Sequence, residues 1–253
     1  MFSEEIKVMA ERLGRHNDLT KIAEDYLHHN DRFIAKTSLS PKLIDQTDPK
    51  ILFGYNALRF IQLLLYRSKS LIEGSILLLN NKKMLPSLIL IRAHYETTGS
   101  LCYSLIRLKS YYNGNIPFEK LDEDFRRLDL GATTIDHKDC PCPINAMTLI
   151  DAVDSLINKE IVRDKNAPQK MFSDLYDTLS DYCHPNFHGI HSGSEILNYE
   201  KAIIYNETDT VIDSDFPFFF NLGMSTRLFL HFYDEMHLLL NQKEIMPIMH
   251  KTI

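Results

Sequence analysis

The stretch Met84–Tyr112, MLPSLILIRAHYETTGSLCYSLIRLKSYY, decides the fold. Leu88, Ile91, Tyr95, Thr98, Cys102, Leu105 and Ile106 recur at three- and four-residue intervals, which predicts one long, mostly buried helix with Pro86 in its first turn. Arg92 and Glu96 stand four apart on one face of it, with Gly99 and Tyr103. Arg ahead of Glu is the weaker order for a local helical pair. If the helix is central, these charges need partners from another helix; the alternative is a solvated helix edge.

Upstream, Lys50–Leu79 predicts a second long helix, with Asp48 as cap and Pro49 at its first position. Leu58, Ile61, Leu65, Ser68, Ile72 and Ile76 form its inward stripe, and Arg59, Gln62, Tyr66, Lys69 and Glu73 its outer face. Only Asn80-Asn81-Lys82-Lys83 separates the two helices, so they must be antiparallel neighbours. Residues 3–35 predict two shorter helices, one on Ile6, Met9, Ala10 and Leu13, the next on Leu19, Ile22, Ala23 and Tyr26. Gly14 would stop the first, Asn17-Asp18 would cap the second, and His28-His29 would place cations at its C-terminal end. Residues 36–49 read as a connector.

Downstream, YNGNIP ends the organising helix and Phe118–Leu130 forms a short charged one. GATTIDHKDCPCP reads as a surface loop; His137, Cys140 and Cys142 offer only three ligands, and a plain loop outweighs a metal site. Further helices are expected over 145–161, over 169–182 after Pro168, and over 216–242, with a β-hairpin near 196–213. The fold class is therefore mainly α: a bundle of long antiparallel helices with a small appended hairpin. Residues 1–49 make an N-terminal extension and 50–253 the bundle domain.

A net charge of −6 and an isoelectric point near 6.0 argue against a general nucleic-acid binder, though a local basic pocket for one RNA stays open. The four cysteines read as free thiols of a reducing cytoplasm, and no cofactor is implied. The amphipathic N-terminal stretch lacks a signal peptide's apolar run, and charges interrupt the longest apolar stretches, so neither export nor a membrane span is expected.

In DYCHPNFHGIH, His184, His188 and His191 stand at i, i+4 and i+7, a spacing that can gather imidazoles around a metal on a helix. Gly189 weakens that helix, and only Asp181 and Glu195 offer carboxylates nearby. Alternatively His184 ends a helix that Pro185 forbids from continuing, its imidazole turned back into the bundle.

RSKSLIEGSILLL, PSLILIRAHYETTGSLCYSL and LYDTLSDYCHPNFHG, over residues 50–195, resemble a family of bacterial helical proteins with R-x-x-x-E and Y-x-x-L-S-x-x-x-H-P segments. That family is similar to the HEPN superfamily, whose members include ribonucleases of toxin–antitoxin, abortive-infection and CRISPR-associated antiviral defence. The resemblance implies a HEPN-like bundle that commonly forms homodimers, and a cytoplasmic effector that could meet RNA, an antitoxin or another protein partner. Active HEPN ribonucleases carry Arg and His on one helix with four to six residues between them; here Arg12…His16 and Arg227…His231 have three. A site would therefore be composite. Arg92 would bind phosphate, His184 would act as general acid or base tuned by Glu96, and Tyr182, Asn186 and His188 would line the pocket. The competing reading is a non-catalytic interaction or scaffold domain; a metal-dependent hydrolase on the three histidines is the weaker third.

Overall fold

A computed structural model of the chain describes residues 1–33, 48–132, 139–162, 169–186, 189–190, 194–198, 202–205 and 217–241. The protein is mainly helical. Helix α1 (Glu4–Arg12) and α2 (His16–Asn30) precede the long antiparallel pair α3 (Pro49–Asn80) and α4 (Met84–Tyr112). Then come α5 (Phe118–Leu130), α6 (Ala146–Leu156), α7 (Met171–Cys183) and α8 (Pro217–Leu240). A single π-helical turn, Ile157–Ile161, continues α6. Ser194–Asn198 (β1) and Ala202–Tyr205 (β2) pair antiparallel, Ser194 opposite Tyr205.

Helix α4 is the hub, packed on α3, α5, α6, α7 and α8. Its apolar stripe explains this: Leu88, Ile91, Tyr95, Thr98, Cys102 and Leu105 are all buried, facing the equally buried Leu58, Ile61, Leu65, Ser68, Ile72 and Ile76 of α3. The turn between them closes with Lys82 in the left-handed conformation (φ 58°). Gly99 lets α6 approach α4, since a Cβ there would stand 2.8 Å from the Leu149 carbonyl oxygen. Side chains of α1 and α2, among them Ile6 and Ile22, join the same buried cluster as α3, α4 and α8.

Caps set the helix starts. Asp48 accepts the Lys50 amide at 2.8 Å to open α3, and Asn145 accepts the Met147 amide at 2.8 Å to open α6. No local side chain caps α7. Instead, the buried Asp154 carboxylate of α6 accepts the Phe172 amide (2.8 Å), the Ser173 amide (3.0 Å) and the Ser173 hydroxyl (2.5 Å). Asp154 thus places a negative charge on the positive end of α7 and ties the two helices together.

Three expectations change. Helix α2 starts at His16 with no side-chain cap, and Asp18 pairs with Arg15 at 3.3 Å instead. Gln62 is buried, because its amide donates to the Arg32 carbonyl at 3.1 Å and meets the Tyr233 hydroxyl. His29 is no cation at a helix end; its ring is buried, and burial lowers its pKa to about 4.

Candidate functional site

Arg92 and Glu96 leave α4 on the face covered by α7, and the partners they need come from that helix. The Arg92 guanidinium donates from Nη2 to the Tyr176 hydroxyl at 2.7 Å and from Nε to the Ser180 Oγ at 3.1 Å. Tyr176 passes its own proton on, donating to Glu96 Oε1 at 2.8 Å, and Ser180 donates to the Tyr176 carbonyl at 2.9 Å. Arg92 Nη2 lies 3.4 Å from Glu96 Oε1, and Arg92 Cζ is 5.0 Å from the Tyr176 ring centroid. The pair 92/96 on α4 is matched by the pair 176/180 on α7, one helical turn against one helical turn.

Partial burial disfavours the charge of Arg92, but Tyr176, Glu96 and Cys183 together hold its pKa above the ordinary value. Burial first, and then the bond to Glu96, raises the Tyr176 phenol, which keeps its proton. Burial likewise raises Cys183 despite Arg92 beside it, so the thiol is not an activated nucleophile. The side chains of Arg92 and Glu96 are 28% and 32% exposed, neither sealed nor open.

His184 is the residue that ends α7, with extended backbone (φ −93°, ψ 151°). Its side chain is exposed, not turned into the bundle, and among the described residues it makes no bond to Arg92 or Glu96. The link is indirect: its amide donates to the carbonyl of Ser180, whose hydroxyl holds Arg92. Tyr182 is half-buried. Asn186 accepts the Gly189 amide at 3.2 Å and donates to Asp181 at 3.2 Å, a turn-forming role. His188, His191 and His137 lie outside the described residues. No three His, Cys, Asp or Glu side chains gather as a metal cluster among the described residues. Cys140 and Cys142 are both free thiols. Arg127 donates to the Cys142 carbonyl at 2.9 Å, which ties this loop to α5.

A second polar cluster lies entirely in the core. His29, Ser68, His94 and Ser225, from α2, α3, α4 and α8, are all fully buried. His29 Nδ1 is 2.8 Å from the Asp25 carbonyl, and His29 Nε2 is 2.9 Å from Ser68 Oγ. His94 Nε2 is 2.7 Å from the same Ser68 Oγ, and His94 Nδ1 is 3.0 Å from Ser225 Oγ. A carbonyl only accepts, so His29 carries its proton on Nδ1 and its Nε2 must accept from Ser68. Ser68, having donated, accepts from His94 Nε2–H, which leaves His94 Nδ1 to accept from Ser225. Ser225 Oγ also lies 3.2 Å from the Leu222 carbonyl, so its one proton is shared between that oxygen and His94 Nδ1, while the two histidine tautomers follow from Asp25 and Ser68. Burial lowers His94 to about 3, so both rings are neutral. Phe229 lies beside both, its centroid 5.9 Å from each imidazole.

Sequence reading missed Tyr176 and Ser180 as partners, although both sit in the Y-x-x-L-S segment at the spacing that matches Arg92 and Glu96. No family model, no curated protein and no solved structure matches this chain. No helix among the described residues is long and apolar enough to cross a membrane.

Proposed function

We propose that the chain is a helical interaction module in which the R-x-x-x-E and Y-x-x-L-S segments are two halves of one structural lock. The observation that carries this reading is the engagement of Arg92: its guanidinium is held by Tyr176, Ser180 and Glu96, with His184 outside that set. That engagement occupies Nε and Nη2 and leaves only the Nη1 donors to meet a phosphate. Surface chemistry supports an interaction role. Helix α8, whose apolar face could have served a homodimer, spends Phe218, Phe219, Leu222, Phe229, Phe232 and Met236 on its own bundle. Helix α3 instead exposes Leu52, Leu63, Tyr66 and Leu77, at heptad-related positions along one face. Sedimentation of the wild type beside Leu63→Glu/Tyr66→Glu tests this; association lost in the folded variant supports the module, and a wild-type monomer with no partner at that face opposes it.

The second reading is a HEPN-like effector of a bacterial toxin or antiviral-defence module with ribonuclease activity. It is favoured by the residual exposure of Arg92 and Glu96 and by His184 lying one turn beyond Ser180. In it, RNA would displace Tyr176 and Ser180 from the guanidinium and His184 would move the proton. Growth and RNA integrity in cells expressing wild type, Arg92→Ala and His184→Ala test it. Fragmented RNA with wild type alone, both variants being folded, would put this reading first; intact RNA in all three leaves the lock.

A further inference from the structure

A cleft of about 390 Å³ opens between α3 and α5. That size suits a small organic molecule. Four phenylalanines shape it. Phe53 packs edge-on to Phe118 and to Phe125, with centroids 5.6 and 4.9 Å apart, and Phe60 packs edge-on to Phe125 at 6.1 Å. Phe53, Ala57, Phe60 and Phe125 form a closely packed floor that is at most 6% exposed, and the partly buried Phe118 with the exposed Leu52 and Leu130 supplies the apolar surface a ligand meets.

The rim is polar and asymmetric in its pairing. Arg59 is satisfied by Asp129 across the α3–α5 junction. Asp122 and Arg126, also on the rim, stand one turn apart on α5 in the order that favours a local ion pair. Yet neither makes an ion pair or hydrogen bond among the described residues. Asn56 adds a side chain that can both donate and accept. The cleft thus offers an aromatic floor, one unmatched anion and one unmatched cation on the same helix face.

We propose that this cleft binds a small aromatic zwitterion, of the class of a free aromatic α-amino acid. Its ring lies against Phe118, Leu52 and Leu130, its ammonium faces Asp122 and its carboxylate faces Arg126. The inference is independent of the role assigned to Arg92, from which α5 is remote in the bundle.

The chain contains no tryptophan, so an indole ligand supplies the only indole fluorescence in solution. Anisotropy of L-tryptophan, tryptamine and indole-3-propionate is measured against added full-length protein. The proposal expects saturable binding of L-tryptophan, weaker by about fivefold for either single-charge analogue, the scale of one partly exposed ion pair. Asp122→Asn should remove the preference over indole-3-propionate, and Arg126→Gln that over tryptamine. Asn56→Phe, which fills the cleft from an exposed position, should abolish binding of all three. No anisotropy change with any ligand, or equal binding of all three unaffected by these variants, would overturn the proposal.

Discussion

His94 Nε2 and Ser68 Oγ stand 2.7 Å apart at the crossing of α3 and α4, both fully buried, and the same hydroxyl lies 2.9 Å from His29 Nε2. One hydroxyl therefore serves two imidazoles, as donor to His29 and acceptor from His94. Nitrogen-15 NMR should find His29 as the Nδ1–H tautomer and His94 as the Nε2–H tautomer. Ser68→Ala leaves an imidazole acceptor and an imidazole donor buried without a partner, at about 2–4 kcal/mol together. A urea midpoint unchanged in that variant would contradict the assignment.

The same row makes stability depend on acid. Both histidines have folded pKa values below the unfolded value near 6.5, at about 4 for His29 and about 3 for His94. The unfolded chain then binds more protons, so their contribution is complete above about pH 6.5 and is lost as pH falls towards the folded values. His237, also lowered by burial, acts in the same direction. Between pH 6.5 and 5, before most carboxylates titrate, each buried histidine should steepen the fall by up to about 1.4 kcal/mol per pH unit. Unfolding midpoints across that range check this, and His94→Gln should flatten the slope.

Asp154 supplies the N-cap of α7 from a neighbouring helix. Asp154→Ala should cost about 2–3 kcal/mol, because two amides and a buried hydroxyl lose their acceptor together. Hydrogen exchange should localise the loss to the Phe172 and Ser173 amides.

Gly99 sets the distance between α4 and α6. With a Cβ there 2.8 Å from a backbone oxygen, Gly99→Ala must push α6 away, at about 1–3 kcal/mol despite alanine's better helix propensity. A gain in thermal stability would show that α6 yields easily.

Much of the helical architecture was legible because it rests on local signals. The stripe from Leu58 to Ile76 and the four-residue turn at Asn80–Lys83 set the α3–α4 pair without reference to the rest of the chain. The polar interior was not. Ser68 reads only as a small residue of the inward stripe and His94 carries no local signal, since their partners lie 39, 26 and 131 residues away along the chain. The place of His29 in the last turn of α2 suggests a cation, whereas Ser68 of α3 and Phe229 of α8 close over its ring. At Arg92 the need for partners on another helix was legible, but their identity was not. Tyr176 and Ser180 both read as part of the Y-x-x-L-S motif, because nothing local shows that two i, i+4 pairs will face each other.

The central claim is that Arg92 and Tyr176 act as one structural unit, and a double-mutant cycle in urea tests it most directly. Arg92→Ala, Tyr176→Phe and the double variant are compared with wild type. The lock predicts that both single variants destabilise and that they couple by about 0.5–2 kcal/mol, as groups in one hydrogen-bonded network do. Arg92→Ala at wild-type stability, with no coupling to Tyr176 and with loss of an RNA-cleaving activity, would contradict it.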